Sequence, residues 1–194
     1  VGVILGLASG YYGGWLDMVI MRLLDVQLAF PGLLLAICII AVIGPGLENV
    51  IVAVGVFSVP VFARVTRGQV LSLKQQDFIL AARMMGAQDR RIMLQHLLPN
   101  AVAPILVIAT LRIATAILTA ASLSFLGLGT PVGYADWGQM IQFARNWIVG
   151  PPGNPLAYWY TVTIPGLFIL FFVLGWNLLG DAFRDILDPR LARR

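Results

Sequence analysis

The chain is poor in the residues that soluble enzymes use for chemistry. It holds one histidine (His96), one cysteine (Cys38) and one lysine (Lys74) in 194 residues. Charged residues make up 11% of it, against roughly 25% in an ordinary soluble domain. Zinc chemistry needs several His or Cys ligands, so two such residues cannot support it, and a lone cysteine cannot close an internal disulfide. A phosphate-binding P-loop needs Gly-Lys-Ser/Thr after a glycine loop. Lys74 sits between Leu73 and Gln75, so the chain cannot hydrolyse ATP by that route. No metal or cofactor site is expected. His96, close to Pro99, is read as a satisfied structural residue, with a proton relay as the alternative.

What is present is oil. Hydrophobic residues make up 59% of the chain, and they recur in runs suited to a bilayer, which about 20 helical residues cross. A closed barrel would need short alternating strands instead. The expected fold class is all-α, a polytopic transmembrane helix bundle forming a single domain over residues 1–194. Five apolar segments stand out: 1–10, Val26–Ile43 with Pro31 near its start, Leu47–Ala63 with Pro60, Ala101–Leu128 and Tyr158–Leu179. The third is short for a span and can continue as helix past Arg64 and Arg67. The first residues, VGVILGLASG, show no initiating methionine and no basic leader. The expectation is that an N-terminal span is missing.

Charge sets the orientation. Arg22, Arg64, Arg67, Lys74, Arg83, Arg90, Arg91, Arg184, Arg190, Arg193 and Arg194 fall in connections on one side, eleven of the thirteen basic residues. The opposite connections, 44–49 and 129–157, hold only Arg145. This is the positive-inside pattern, so the 64–99 loop and the C-terminus are expected in the cytoplasm. The net charge of +4 then reflects membrane orientation, not nucleic-acid binding. The acids all sit near span ends or in loops: Asp17, Asp25, Glu48, Asp77, Asp89, Asp136, Asp181, Asp185 and Asp188. Asp25 is the one placed to be partly immersed, with Arg22 one turn away as its expected partner. An ion-coupled secondary transporter, the alternative function, would carry intramembrane carboxylates and an inverted repeat. A membrane protease would need a dyad within the bilayer. Neither pattern is seen.

The single deep charge is Arg112, within LVIATLRIATAIL. At mid-bilayer an arginine costs roughly 2.5–3.5 kcal/mol on insertion scales, so it should face the interior or an aqueous path. It is a candidate for the substrate path with Thr115 and Thr119; the alternative is a structural pair with another helix. Thr110, Ser122 and Ser124 share that span with Ala114, Ala116, Ala120 and Ala121, a mixture that suits close helix packing. On the opposite side, Trp137, Met140, Ile141, Ala144, Trp147 and Ile148 fall at helical spacing. Asp136 is placed to cap that helix and Gly150-Pro151-Pro152 to end it. A short interfacial helix is expected there, either plugging the surface or admitting substrate.

Between the third and fourth spans lies ILAARMMGAQDRRIMLQHLLPN. Asp77 can cap a helix beginning at Phe78, and Gly86 fits its stop. Two turns of helix are unstable alone, so packing must hold them. Phe78, Ala81, Ala82 and Met85 recur at spacings of three and four, and the alanines leave a shallow surface. A second short helix from Asp89 to Leu97 follows, with Ile92, Met93 and Leu97 as apolar contacts, and Pro99 then breaks the chain. The pair forms a knuckle suited to docking in a groove of a soluble partner. The alternative is an amphipathic loop lying on headgroups.

The run Ala81-Ala82-x3-Gly86-x9-His96-x-Leu98-Pro99 resembles the "EAA" loop of binding-protein-dependent ABC importer permeases. Leu80 stands where that pattern has Glu, and His96 where it has Ile. His before x-Leu-Pro-Asn is similar to the dipeptide, oligopeptide and nickel branch. Residues 10–36 are similar to the same family's inner turn and the helix after it, and residues 63–87, 122–141 and 177–191 to its coupling loop, outer loop and tail. The resemblance implies a type I importer permease fold, as in the methionine importer permease. It implies an ATPase-coupling loop of Asp77, Phe78, Leu80, Ala81, Ala82, Met85, Gly86, Asp89, His96, Leu98 and Pro99. It further implies a non-enzymatic subunit of a bacterial inner membrane, with ATP used by two separate ABC ATPase subunits. A second homologous permease and an extracytoplasmic substrate-binding protein complete the implied system. The implied cargo is a dipeptide, oligopeptide, glutathione or nickel chelate.

Overall fold

A computed structural model describes residues 1–154 and 156–187. The predicted tail residues Asp188, Arg190, Arg193 and Arg194 lie outside the described residues. Among the described residues the regular elements are helical: α1 (Gly2–Tyr12), α2 (Gly14–Ala29), α3 (Gly32–Ile43), α4 (Leu47–Leu73), α5 (Asp77–Met84), α6 (Asp89–Arg91), α7 (Leu98–Phe125), α8 (Trp137–Ala144) and α9 (Tyr160–Leu187). A π turn over Ile92–Leu97 joins α6 to α7, and a 3-10 turn over Arg145–Trp147 follows α8.

Three stretches are long and apolar enough to cross a membrane: Leu47–Leu73, Asp89–Phe125 and Tyr160–Ile186. The broken pair α2 and α3 makes a fourth if taken as one span. The third span does continue past Arg64 and Arg67, with Pro60 inside it. At 1.5 Å per residue α4 is about 40 Å long, more than the hydrocarbon needs.

Two sequence expectations require correction. Residues 11–25, read as the connection between the first two apolar segments, are themselves helical in all but Gly13, and α2 alone runs sixteen residues. Gly13 and Gly14 take positive φ (66° and 57°) and turn the chain after α1. Asp17, Arg22 and Asp25 interrupt the apolar run without disfavouring helix. The second span is also not continuous from Val26. Phe30 is extended (φ −85°, ψ 134°), as the residue before a proline prefers to be, and the helix restarts after Pro31.

The chain divides into two compact units. The first comprises Val1–Phe30, Ser58–Ala109 and Gly180–Arg194, the second Pro31–Phe57 and Thr110–Leu179. In the first, Leu7, Tyr11, Val70, Ile79, Ile92 and Leu97 form one buried apolar cluster. Gly2, Gly6 and Gly10 lie four residues apart on α1 and meet α4 closely. A Cβ on Gly6 would strike the Ala63 carbonyl, and one on Gly10 would sit 2.9 Å from the Val70 Cβ. Small residues at this spacing let backbones approach. In the second unit the core joins Ala36, Ile40, Val50, Ala53 and Leu123. The large apolar side chains left exposed, among them Val42, Ile51 and Phe171, suit a lipid-facing surface.

Candidate functional site

The knuckle belongs to the first unit. Its helix α5 has eight residues, with Gln76 as the N-cap and no side-chain capping bond. Asp77 therefore sits one residue inside the helix, not at the cap. Gln76 turns extended (ψ 148°) and its carbonyl accepts from the Ile79 and Leu80 amides at 3.0 and 3.3 Å. Asp77 in the first turn favours the positive end of the helix dipole. At the other end Gly86 adopts φ 79°. Its amide donates to Arg83 O (2.9 Å) and the Ala87 amide to Ala82 O (3.1 Å). These two bonds make a Schellman stop.

The helix has two faces. Ile79 and Ala82 are buried, at 0% and 3% exposure, and Ile79 enters the unit's core. Phe78, Leu80, Ala81, Met84 and Met85 are exposed, Met84 by 90% and Met85 by 81%. The predicted grouping of Ala82 with Phe78, Ala81 and Met85 is thus incorrect. Ile79 is the larger anchor, and Ala82, three residues on, follows it inward. Met84, which the sequence left unassigned, joins the outer face. Methionine there gives a flexible, polarizable contact surface.

After the stop, Asp89 begins α6, and Ile92 and Leu97 are buried with Met93 packed against them. The expected break at Pro99 does not occur. Asp89–Phe125 is one helical stretch of 37 residues. The Leu98 amide bonds Met93 O, five residues back. This wider register lies just ahead of the proline, whose ring would otherwise press on the carbonyl four residues before it. Leu98 packs on the core, Pro99 is exposed and His96 half-buried. The His96 carbonyl accepts from Asn100 Nδ2 at 2.6 Å.

Ion pairs fasten the surroundings. Arg67 makes two bonds of 2.6 Å to Asp17, through Nε to Oδ1 and Nη2 to Oδ2, and Ser9 Oγ donates to the same carboxylate at 2.5 Å. Asp25 pairs with Arg64 at 2.6 Å, not with Arg22 as expected from one-turn spacing. The pair joins residues 39 apart in sequence, which local spacing cannot reveal. Among the described residues no three His, Cys, Asp or Glu side chains gather as a metal site.

In the second unit Arg112 is half-buried, and its side chain has no hydrogen-bond or ion-pair partner among the described residues. Its backbone carbonyl accepts from Thr115 Oγ1 (3.0 Å), and the Thr115 carbonyl accepts from Thr119 Oγ1 (2.8 Å). The same unit contains α8. Asp136 caps it as expected, with Oδ1 accepting from the Gly138 amide at 2.8 Å, while Oδ2 accepts from Thr130. A Cβ on Gly138 would strike the Ala121 carbonyl, so α8 lies hard against α7. Trp137 stacks on Phe168 with ring centroids 6.0 Å apart. The predicted single apolar face divides: Ala144 is buried and Trp137 and Ile141 half-buried, whereas Met140, Trp147 and Ile148 are exposed, as is Phe143 outside that face. Gln139 is buried instead, its amide nitrogen donating to the Thr130 carbonyl at 2.8 Å.

Three to four spans, with a short two-faced helix packed at the head of one of them, define a multi-pass helical membrane protein. The chain belongs to the family described as binding-protein-dependent transport system inner membrane component, which matches residues 2–193. It is 47% identical over 190 residues to the dipeptide transport system permease protein DppC of Alkalihalophilus pseudofirmus, covering 98% of this chain and 60% of that one. It is 49% identical over 191 residues to the glutathione transport system permease protein GsiD of Pectobacterium atrosepticum, covering 98% and 61%. The GsiD protein of an Escherichia coli strain is 51% identical over 181 residues, covering 93% and 57%. The chain thus spans about three fifths of the length of these curated relatives.

Proposed function

We propose that the chain is the permease subunit of an ATP-driven ABC importer and forms half of a translocation path for peptides or a related small solute. The observation that carries this is the α5 knuckle, locked inward by Ile79 and exposing Phe78, Leu80, Met84 and Met85 where the family pattern has its coupling loop. One of two separate ATPase subunits takes that outer face into a groove. A second, homologous permease completes the path, and an extracytoplasmic binding protein delivers cargo. Asp77, Phe78, Leu80, Ala81 and Met85 meet the ATPase. Ala82, Gly86, Asp89, His96, Leu98 and Pro99 set the knuckle's shape from behind. ATP moves the permease only because the ATPase contacts differ between its two states.

The relatives' names point to dipeptides and glutathione, both of which carry carboxylates. Arg112, unpaired among the described residues and central in an apolar helix, is the group that would meet such a carboxylate, with Thr115 and Thr119 one and two turns on. The test of the whole function is reconstitution of the full-length subunit with its partners in liposomes. Uptake should require both ATP and the ATPase subunits; uphill uptake by the permease alone would refute it. For the site, Arg112→Met should cut uptake roughly tenfold or more at equal expression, as the loss of one charge-assisted contact would. Normal uptake would remove Arg112 from the path.

A further inference from the structure

We infer that Tyr11 is a positioning residue, a strut that makes the knuckle and α1 move as one body; this rests on the coupling role proposed for α5. Tyr11 lies in the last turn of α1 and is 5% exposed. Its hydroxyl donates to Asp89 Oδ1 at 2.5 Å, reaching the first residue of α6 across 78 positions of sequence. The Arg83 guanidinium, from α5, lies 5.2 Å from the centre of the Tyr11 ring. Lys74 Nζ, just after α4, donates to the Gly10 and Tyr11 carbonyls at 3.1 and 3.2 Å. One residue therefore gathers the ends of α1 and α4 and both helices of the knuckle.

The apolar cluster around the ring excludes water from its body, and Ile79, Ile92 and Leu97 belong to the same cluster. Dry packing fixes distance but slides easily. A hydrogen bond to a carboxylate adds direction. From Tyr11 the line continues through α1 to Ser9, whose hydroxyl meets Asp17 of α2, and from Asp17 to Arg67 of α4. A push on Met84 and Met85 would enter α1, α2 and α4 together. Without the hydroxyl, α6 loses its directed link to α1, and the knuckle could rock on Ile79 while the membrane helices stayed behind.

The test uses the full-length permease assembled with its ATPase subunits and binding protein. Tyr11→Phe removes the hydroxyl and keeps the ring; Asp89→Ala removes the acceptor. Tyr11→Phe should leave ATP hydrolysis within about twofold while solute carried per ATP falls roughly tenfold, the loss of one charge-assisted bond, and Asp89→Ala should lower solute carried per ATP by a similar factor. The double variant should be no worse than either single one. An unchanged solute-to-ATP ratio in both single variants would overturn the strut while leaving the proposed function intact. Failure of both to assemble would also overturn it, reducing the bond to a folding contact. Absence of ATP-driven uptake in the unsubstituted complex would instead strike the proposed function itself.

Discussion

Helices α5 and α8 are both eight residues long, too short to persist alone in water, and they are secured by opposite means. The first has no side-chain cap; it is pinned on one face by buried Ile79 and Ala82, by Arg83 over the Tyr11 ring and by a glycine stop, and leaves Met84 and the adjoining Met85 in the open. The second is capped by Asp136, pressed backbone-to-backbone on Ala121 through Gly138 and stacked through Trp137 on Phe168. The knuckle is held from one side, so a partner can take the other. The α8 segment is fastened by close backbone contact to α7, by ring contacts to α9 and by polar contacts to Thr130 in the loop before it. Attachment on one face suits an element that takes a push on the other, whereas attachment through several sides suits one that stays in place.

The comparison can be broken most strongly at the anchor. Ile79→Ala should cost about 2–5 kcal/mol, the usual loss for emptying a packed isoleucine site. Thermal unfolding in detergent should show it, with α5 and α6 amides exchanging first; protection of α5 equal to the parent would deny that Ile79 is the main anchor. Next comes Gly86→Ala, which forces a side chain into the left-handed region at roughly 1–2 kcal/mol. Hydrogen exchange at the amides of residues 84–88 should rise while that of α8 stays unchanged. Asp136→Ala should cost about 1 kcal/mol as a lost cap. Exchange should quicken at Gly138 and Gln139 alone, because stacking and close backbone contact still hold α8. The smallest effect is expected from Leu80→Glu, which installs the family's acid on an exposed position and should move stability by no more than about 0.5 kcal/mol. A large loss there would show that Leu80 packs inward.

Much of this arrangement could be read from residues alone. Apolar run length located α4, α7 and α9, Gly86 marked the stop of α5, and Asp136 the start of α8. What escaped was mostly long-range. Spacing suggested Arg22 for Asp25, but Arg64 from another helix takes it. Nothing near Tyr11 in sequence points to Asp89. A helical pattern also cannot say which edge of an apolar stripe faces inward, and so Ala82 was placed with the exposed residues. The charges within α2 hid a helix by breaking the hydrophobic run. One signal was present and unread: Gly2, Gly6 and Gly10, four apart, announce the close approach of α1 to a neighbouring helix.

The central claim is that the open face of α5 is an ATPase seat and the open face of α8 is not. The direct measurement places single cysteines at Met84, Met85 or Phe143 in a Cys38→Ser background of the full-length, assembled transporter, with a cysteine in the ATPase groove. Disulfide crosslinks should form from positions 84 and 85, change in yield when ATP binds, and be absent from 143. Persistent failure at 84 and 85 in a complex shown to be intact, or equal crosslinking from 143, would contradict the account.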